Sequence, residues 1–510
     1  MGQARRRLSL PRLVTFRWRW LALVFLAAAV LVALLFASRT LFRAEPDRLA
    51  EFPHSWHEGY SVPADRLKAL PFYSITAQIN PAARAYTGTL DLDFTVSSTL
   101  PMQDLFFRTY PNLQFFGGNL ELTGVRVNGV MVNFGPVESR TAVQVALIEP
   151  LKQGSRAHVW LAFRGKFEHM SQLGEYTIFG INEDITSLTG FYPILAARRG
   201  DAWALDVPHP QGDVGFHDAA LYRVALDFPS DQVIVATGTE ITRTASTAGW
   251  MTAQYVLGPA REFTALLSPQ FEILETESMG TRVRSYFTGD NADAARAALY
   301  HAVGALQIYS DQFGQYPYRD MAVVQAPLTF KGMEFPSVSL IGSQVYNVYQ
   351  KDLENLVVHE VAHQWWYNQV GSDQVRTPWL DEGIAEYSMY FYYQGRYGDQ
   401  AAQDLRDLRW ELPVDSMKRR AADQPIGMAV WDYKRDYEMV VYAKGALFFD
   451  TLREELGAVK FEELLREYLR QYRWRIASAG EFQALASQVA GRNLDDLFST
   501  WVQGDTAQNQ

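Results

Sequence analysis

Two histidines four residues apart, His359 and His363, lie in the apolar, aromatic-rich segment NLVVHEVAHQWWYNQV, residues 355–370. On a helix this spacing projects both imidazoles from one face, so both can reach one metal ion. Glu360 lies between them and completes the pattern His-Glu-x-x-His, from which its carboxylate can serve as a general base. Two packed core histidines are the alternative interpretation, and a third ligand is needed to decide between the two.

Glu382, in the segment PWLDEGIAEY, is the candidate third ligand. Eighteen residues lie between His363 and Glu382. We expect it on the following helix, because an antiparallel helix pair would bring its carboxylate to the two imidazoles. Asp381 is the alternative ligand. Glu386 lies one turn after Glu382 on the same face, and there it can accept a hydrogen bond from the distal nitrogen of a ligating histidine.

The chain has no cysteine, so a metal must be held by histidines and carboxylates. Three protein ligands leave a fourth position for water, which is typical of a catalytic zinc site, and we expect one Zn²⁺ per chain. Such a site activates water and polarises a carbonyl group. Glu360 is then predicted to take the proton and to deliver it to the leaving amine.

The elements that position these residues follow from the pattern of the chain. Period-two alternation in TGTLDLDFTVSS, HVWLAFRGKF and YRVALDFPSD, with a hairpin turn at Asn128–Gly129, predicts an antiparallel β-sheet domain at residues 71–275. Helical spacing dominates residues 276–510, including helices from about Lys351 to Val370 and from Trp379 to Gly395. The sequence therefore predicts an α+β multidomain fold.

The N-terminus predicts a membrane anchor. Residues 1–20 carry six arginines between Arg5 and Arg19 and no acid, and residues 21–38 form an uncharged apolar run just long enough to cross a bilayer as a helix. We expect a signal anchor with residues 1–20 in the cytoplasm, a juxtamembrane linker at 39–70, and the remaining chain in the periplasm or outside the cell. A cleaved signal peptide is the alternative.

The composition of the chain limits the kinds of molecule that we expect it to bind. Hydrophobic residues make up 48% of the 510 residues and charged residues 20%, which is typical of a globular chain. The formal net charge of −10 provides no basic field, so nucleic acid is not an expected partner. Oligomeric state cannot be read from the sequence.

The combination of these motifs resembles the gluzincin zinc aminopeptidases, the family of alanyl aminopeptidase and leukotriene hydrolase. His359, Glu360, His363 and Glu382 match its zinc pattern. KGMEFP at 331–336 looks like its Gly-x-Met-Glu exopeptidase motif, and YAKGA at 442–446 looks like its Tyr-x-Lys-Gly segment. The resemblance covers about residues 71–505 and implies a saddle-like β-sheet domain followed by a thermolysin-like catalytic domain.

The resemblance also implies roles for further residues. Gly332, Met333 and Glu334 would bind substrate, with Glu334 holding the free α-amine. Tyr442 would donate a hydrogen bond to the oxyanion, with Tyr437 as the alternative donor, and Lys444 would support local structure. The sequence departs from the family at Phe335, where asparagine is usual, and at Lys331, and it offers no clear second amine-binding residue in the β-domain.

The resemblance implies a membrane-anchored zinc aminopeptidase that acts on peptides. The short stretch after NLDDLFSTWV leads us to expect that the large C-terminal helical domain of many relatives is missing. A zinc endopeptidase or narrow processing protease is one alternative function. A non-catalytic binding protein on the same fold is another.

Overall fold

The computed structural model describes residues 49–168, 178–328, 331–348 and 350–503. The predicted membrane-spanning segment, residues 21–38, and the cytoplasmic segment before it lie outside the described residues. Within the described ranges, no helix combines the length and the apolar character needed to cross a membrane. The residues from Phe52 onward belong to one compact unit in which a β-rich part precedes a helical part, which confirms the predicted α+β fold.

An eight-stranded sheet forms the frame of the β-rich part. Its strands follow the period-two pattern of the sequence, because alternate side chains are buried on one face. The pairing is antiparallel except between Phe72–Asn80 and Ala220–Pro229, which run parallel. In spatial order the strands are Thr239–Ala245, Trp250–Ala260, Ala220–Pro229, Phe72–Asn80, Ala85–Thr95, Arg156–Lys166, Asn119–Val127 and Val130–Met131.

Smaller sheets complete the β-rich part among the described residues. One four-stranded sheet contains, in order, Val233–Ala236, Thr264–Ser268, Ile185–Thr189 and Phe179–Asn182. Another contains Ile194–Leu195, Met102–Arg108, Ala142–Leu151 and Phe134–Val137, and Arg198–Arg199 pairs with Ala202–Trp203. The predicted turn at Asn128–Gly129 joins two strands, and both of its residues have positive φ, as a tight hairpin turn requires.

A mixed five-stranded sheet begins the helical part. Its order is Glu272–Ser278, Thr281–Phe287, Asp320–Ala326, Val338–Gly342 and Gly332–Phe335. The domain boundary expected near residue 275 falls within the first of these strands, so the sheet starts a few residues earlier than that boundary. The short strand Gly332–Phe335 forms one edge and pairs antiparallel with Val338–Gly342.

Most helices of the described residues belong to the helical part, and Ala292–Phe313 and Leu353–Ala362 pack against this sheet. The α-helices are Ala64–Ala69, Ala292–Phe313, Ser343–Asn347, Leu353–Ala362, Trp379–Tyr397, Asp399–Leu405, Leu412–Arg419, Gly445–Leu456, Ala458–Tyr472, Ala479–Ala490 and Asp495–Phe498. π-helical turns span Arg406–Glu411, Met439–Lys444 and Ser499–Gln503. A further two-stranded ladder joins Val370–Gly371 to Arg475–Ile476.

Two of these helices carry the predicted metal ligands: the first site helix, Leu353–Ala362, and the second site helix, Trp379–Tyr397. The prediction that the first would run from Lys351 to Val370 is wrong at its C-terminal end. His363 caps the helix, and Tyr367, at φ 132°, leaves helical conformation. The second site helix runs past the predicted stop at Gly395 and ends at Gly398, whose φ is positive.

Candidate active site

The two site helices bring three predicted metal ligands together in the protein interior. His359 lies in the last turn of the first site helix and His363 at its C-cap, and Glu382 lies in the first turn of the second site helix. All three side chains are buried. Nε2 of His359 is 3.1 Å from Nε2 of His363 and 3.1 Å from Oε2 of Glu382. Nε2 of His363 is 3.3 Å from the same carboxylate oxygen.

This triangle of ligand atoms fits zinc. Ligands about 2.0–2.1 Å from a tetrahedral ion lie about 3.3 Å from one another. The three atoms form one face of such a tetrahedron and leave its fourth corner for water or substrate. Two imidazoles and one carboxylate are also a donor set that zinc enzymes use for catalysis.

The Nδ1 atoms of the two histidines, which face away from the triangle of ligand atoms, also lie close to carboxylates. Oε2 of Glu386 lies 3.0 Å from Nδ1 of His359, on the face of the second site helix where the sequence places it. Nδ1 of His363 lies 3.0 Å from Oδ1 of Asp381 and 2.8 Å from the Trp366 carbonyl oxygen. Asp381 therefore contacts the distal nitrogen of a ligand and Glu382 meets both Nε2 atoms, so of the two alternatives the geometry favours Glu382 as the ligand.

Glu386 is itself held by two donors from the π-helical turn Arg406–Glu411. Arg409 donates to both of its carboxylate oxygens, and the Trp410 indole donates to Oε1 at 2.8 Å. Burial opposes ionisation of Glu386, but Arg409 and His359 hold its pKa well below the usual range. Glu386 is thus a fixed negative charge beside His359, which fixes the orientation of that ring.

Glu360 faces the same space from the first site helix and packs tightly against Gly332. A Cβ atom on Gly332 would lie 2.0 Å from Oε1 of Glu360, so no larger residue fits there without moving the carboxylate. Oε2 of Glu360 has no hydrogen-bond partner among the described residues. Burial raises the pKa of the Glu360 carboxyl to about 8, and the charge of nearby Glu334 adds to this.

Hydrogen bonds tie the hairpin that contains the motif strand Gly332–Phe335 to the first site helix and to Gln364, two residues beyond its end. Gln364 donates to the Phe335 carbonyl oxygen at 3.0 Å and accepts from the Ser337 amide at 2.8 Å. The Ser339 hydroxyl donates to the Glu360 carbonyl oxygen at 3.1 Å. These bonds fix the strand that carries Glu334 relative to the ligands and to Glu360.

Glu334 is a buried carboxylate that faces this site. Its side chain accepts a 3.2 Å hydrogen bond from Nε2 of Gln374. Burial raises the pKa of Glu334 to about 7; the charge of His363 opposes the shift, and Glu382 and Asp381 add to it. The structure thus places the predicted amine anchor within a few ångströms of the ligand cluster.

Tyr442 reaches the site from the π-helical turn Met439–Lys444. Its hydroxyl donates to Oε1 of Glu382 at 2.7 Å, and its ring lies 5.6 Å from that of His359. This approach depends on two glycines: a Cβ on Gly445 would lie 3.0 Å from the Cα of Gly383, so the two backbones pack directly on each other. Lys444 points away and donates to Asp423 and to the Gln424 carbonyl oxygen, which is a structural role.

The three predicted ligands, Glu360, Glu334 and Tyr442 line one cavity of about 260 Å³. Met333 and Glu334 also line an adjoining cavity of about 20 Å³, which Phe335 lines too. Elsewhere the wall of the larger cavity is apolar at Leu356, Pro413 and Met439 and carries the ion pair of Lys331 with Glu438. All the predicted catalytic, metal and substrate-binding residues line this one cavity.

The sequence did not identify Asp213 and Gln374 as residues of the site. Asp213 comes from the β-rich part and lines both cavities, and its Oδ2 lies 3.3 Å from Nε2 of Gln374. Burial raises the pKa of Asp213 well above its usual value, and the charges of Glu334, Glu382 and Asp381 add to the effect. The sequence separates Asp213 from Glu334 by more than a hundred residues and offers no local pattern that joins them.

The sequence of the chain is similar to those of known peptidases. Residues 297–501 match the peptidase family M1 domain. Aminopeptidase M1-B of Oryza sativa subsp. japonica is 24% identical over 301 residues, which are 56% of this chain and 34% of that protein. Aminopeptidase N of Haemonchus contortus is 22% identical over 294 residues, which are 53% of this chain and 30% of that protein. The chain thus spans about a third of the length of these curated relatives.

Solved structures share the fold over most of the chain. The M1 zinc metallopeptidase of Deinococcus radiodurans aligns with a TM-score of 0.65 at 19% identity and covers 86% of this chain and 94% of its own. A mutant of that protein bound to a Tyr-Ser-Ala substrate aligns with a TM-score of 0.63 at the same identity and coverage. Residues 297–501 thus resemble a peptidase family M1 domain, and the chain shares its fold with an M1 zinc metallopeptidase of known structure.

Proposed function

We propose that this chain is a zinc aminopeptidase that removes N-terminal residues from peptides. The observation that carries the proposal is the buried carboxylate of Glu334, which faces the same cavity as the three ligands and Glu360. A carboxylate there pairs with the α-ammonium group of a substrate and so places the first peptide bond, and no other, at the ligands. The match of residues 297–501 to the peptidase family M1 domain and the similarity to aminopeptidases support this activity.

The donor set defines the chemistry. A zinc ion held by His359, His363 and Glu382 would supply a Lewis acid that polarises the scissile carbonyl and activates water. Glu360 takes the proton of the attacking water and passes it to the leaving amine, as a general base and then a general acid. Its lack of a hydrogen-bond partner among the described residues leaves Oε2 available for this transfer.

Tyr442 acts on the carbonyl oxygen of the substrate. Its hydroxyl lies beside the ligand cluster, 2.7 Å from Oε1 of Glu382, and can turn from that carboxylate to the oxygen on which negative charge develops. Tyr437, the alternative, is buried with its ring 6.3 Å from that of Tyr442 and does not line the larger cavity. We therefore assign the oxyanion contact to Tyr442.

The decisive experiment compares free and blocked substrates. The full chain, purified in mild detergent with its zinc content measured, is assayed on aminoacyl-fluorophores and on the same compounds N-acetylated, with Glu360→Gln as blank. Cleavage of the free-amine set alone, abolished in Glu360→Gln, is the expected result. Cleavage of blocked compounds would instead indicate an endopeptidase, and no cleavage despite bound zinc would indicate a narrow processing protease or a binding protein.

We propose further that residues 21–38 anchor the chain in a membrane with its catalytic part outside the cytoplasm. The support comes from the sequence: an apolar run of 18 residues that follows six arginines. The full chain should then stay in the membrane pellet after extraction at high pH, and a reporter fused to its C-terminus should be active only outside the cytoplasm. A released product that lacks residues 1–38 would indicate a cleaved signal peptide instead.

The finer architecture is likewise proposed. The eight-stranded, mainly antiparallel sheet supports the saddle-like arrangement of the β-rich part. The mixed sheet within residues 272–342, followed by two helices that meet at the predicted ligands, supports the thermolysin-like arrangement of the helical part. An experimental structure with zinc bound would test both arrangements.

A further inference from the structure

Lys331 and Glu438 form an ion pair on the wall of the active-site cavity. Lys331 directly precedes the motif strand, and Glu438 is the N-cap of the π-helical turn that carries Tyr442. Nζ of Lys331 lies 3.2 Å from Oε1 of Glu438, and both residues line the cavity together with the predicted ligands. The family resemblance gives Lys331 no role, because KGMEFP departs from the motif of the family at this residue.

Away from the metal ligands, Lys331 is the group on this wall that can attract a carboxylate. The carboxylates of the wall are those of Asp213, Glu334, Glu360, Glu382, Glu386 and Glu438. Among the described residues that line the cavity, the lysine and arginine side chains are those of Lys331 and Arg409, and Arg409 donates to both carboxylate oxygens of Glu386. Lys331 pairs instead with Glu438, whose side chain is 71% exposed. Because exposed ion pairs contribute little to stability, a carboxylate of the substrate can replace Glu438 at this ammonium group.

The position of Lys331 along the wall corresponds to the leaving part of the substrate. From Glu334, the proposed amine anchor, the chain runs back to Gly332, which packs on the proposed general base Glu360, and then to Lys331. Lys331 precedes Glu334 by three residues, which is about 10 Å in a strand. An extended peptide covers about the same distance in three residues. The C-terminal carboxylate of a dipeptide or tripeptide held at Glu334 therefore comes within reach of the lysine side chain.

We infer that Lys331 is a specificity-determining residue that binds the C-terminal carboxylate of short peptides, in exchange for Glu438. The inference rests on the proposed function and names its substrate class, which is dipeptides and tripeptides with a free C-terminus. The side-chain carboxylate of an acidic second residue has the same chemistry, and the test below separates the two sources. Glu438 competes with the substrate for Lys331, so its removal strengthens the binding of the carboxylate.

The test measures what the carboxylate contributes to binding, without turnover. Leu-Gly-Gly and its C-terminal amide are titrated calorimetrically into the zinc-loaded full chain that carries Glu360→Gln, and the ratio of the two affinities is the readout. Since Lys331 is partly exposed and already paired, we expect the free acid to bind about three- to tenfold more tightly. In the same background, Lys331→Met should bring the ratio to within about twofold of one, and Lys331→Arg should preserve it. Glu438→Gln should raise the ratio, because the competing carboxylate is gone.

Two controls separate this role from general effects of charge and folding. Lys460→Met removes the same charge from the surface, where Lys460 donates to the Ala490 carbonyl oxygen, and should leave the ratio unchanged. If Lys331→Met does not fold, as judged by its melting curve and zinc content, Glu438→Gln provides the test, and an unchanged ratio in that variant would contradict the inference.

A second pair of ligands identifies the source of the carboxylate. Leu-Glu amide and Leu-Gln amide differ in a side-chain carboxylate and lack a free C-terminus. We expect Lys331→Met to affect the preference for Leu-Gly-Gly over its amide and not the preference between these two ligands. The reverse pattern would overturn the assignment to short peptides and indicate selection of an acidic second residue.

The outcomes distinguish this inference from the function on which it rests. N-acetyl-Leu-Gly-Gly should bind much more weakly than Leu-Gly-Gly, and equal binding of the two would overturn the proposed aminopeptidase. In that case a preference for the free acid that Lys331→Met abolishes would still support the carboxylate site. If the free amine is required but the acid and the amide bind equally, or the preference survives Lys331→Met, the role of Lys331 alone is overturned.

Discussion

Gly332 and Glu360 pack so closely that a single methyl group would not fit between them. A Cβ on Gly332 would lie 2.0 Å from Oε1, 2.3 Å from Cδ and 2.5 Å from Cγ of Glu360. Real Cβ contacts are never that short, so the glycine of the motif strand sets the position of Glu360, the proposed general base. A single glycine in the sequence, Gly332, thus determines where the carboxylate of Glu360 lies.

We expect Gly332→Ala to lower kcat by about 10²-fold or more while zinc stays bound. The added methyl group displaces Glu360 and leaves the three ligands in place, and a displaced general base loses a contribution of about 10² to 10⁴. Steady-state kinetics on a free-amine substrate and metal analysis measure the two effects. Gly480→Ala is the matched control, because a Cβ there meets no atom within 4 Å. Near-normal kcat in Gly332→Ala would contradict this view of Glu360.

Glu386→Gln should weaken zinc binding by about 10- to 100-fold. Glu386 lies 3.0 Å from Nδ1 of His359, and carboxylates that orient ligating histidines contribute to affinity on this scale. Competition with a chromophoric chelator at fixed pH measures the affinity. Glu438→Gln, which also removes a charge from the cavity wall, should bind zinc as the wild type does. Equal affinities for Glu386→Gln and the wild type would show that this carboxylate does not support His359.

Arg261→Lys should destabilise the fold by about 3 kcal/mol or more. The buried guanidinium of Arg261 donates to four backbone carbonyl oxygens, those of Tyr367, His217, Gln369 and Arg475, and so joins the β-rich part to the chain that follows the first site helix. Lysine cannot reach all four, so buried carbonyl groups lose their donors. Urea unfolding measures the loss.

The matched control for this substitution is Arg164→Lys. Arg164 pairs with Glu121 on the surface, where both side chains are more than half exposed, and such pairs contribute under about 1 kcal/mol. Similar small losses in the two variants would show that Arg261 is not a structural link between the two parts.

Short-range patterns explain what the sequence could predict. The ligands His359 and His363 are one helical turn apart, so their shared face follows from helix geometry alone. Period-two strands and the turn at Asn128–Gly129 are equally local, and the structure confirms them. The resemblance to the family predicted that Glu334 and Tyr442 belong to the site, and their side chains line the cavity together with the predicted ligands.

Long-range packing explains what the sequence could not predict. Asp213 meets Gln374 across 161 residues, and only the assembled fold shows that contact. The approach of Tyr442 depends on the direct packing of Gly383 on Gly445, and neither glycine reveals its partner in the sequence. The first site helix was predicted too long because the apolar spacing continues through Trp365 and Trp366, which are buried beyond the helix end by tertiary packing.

The pH dependence of stability should reflect Glu262, a buried carboxyl that accepts a hydrogen bond from Tyr367. Burial raises the pKa of Glu262 to about 7; the bond from Tyr367 opposes the shift, and the charge of Glu334 adds to it. Since the folded state holds the proton more tightly than the unfolded chain, with its ordinary pKa of about 4.5, the contribution is fully present below about pH 4.5 and is lost as the pH rises through 7.

We therefore expect the free energy of unfolding of the wild type to fall by about 2 to 3 kcal/mol between pH 5 and pH 8 relative to that of Glu262→Gln, whose side chain does not titrate. Urea unfolding at the two pH values, with a chelator present so that zinc binding does not enter, gives the difference. Glu272→Gln, at an exposed glutamate, should follow the wild-type profile. If the profiles of Glu262→Gln and the wild type were parallel, Glu262 would have the same proton affinity in the folded and unfolded chains, and burial at this position would not govern its ionisation.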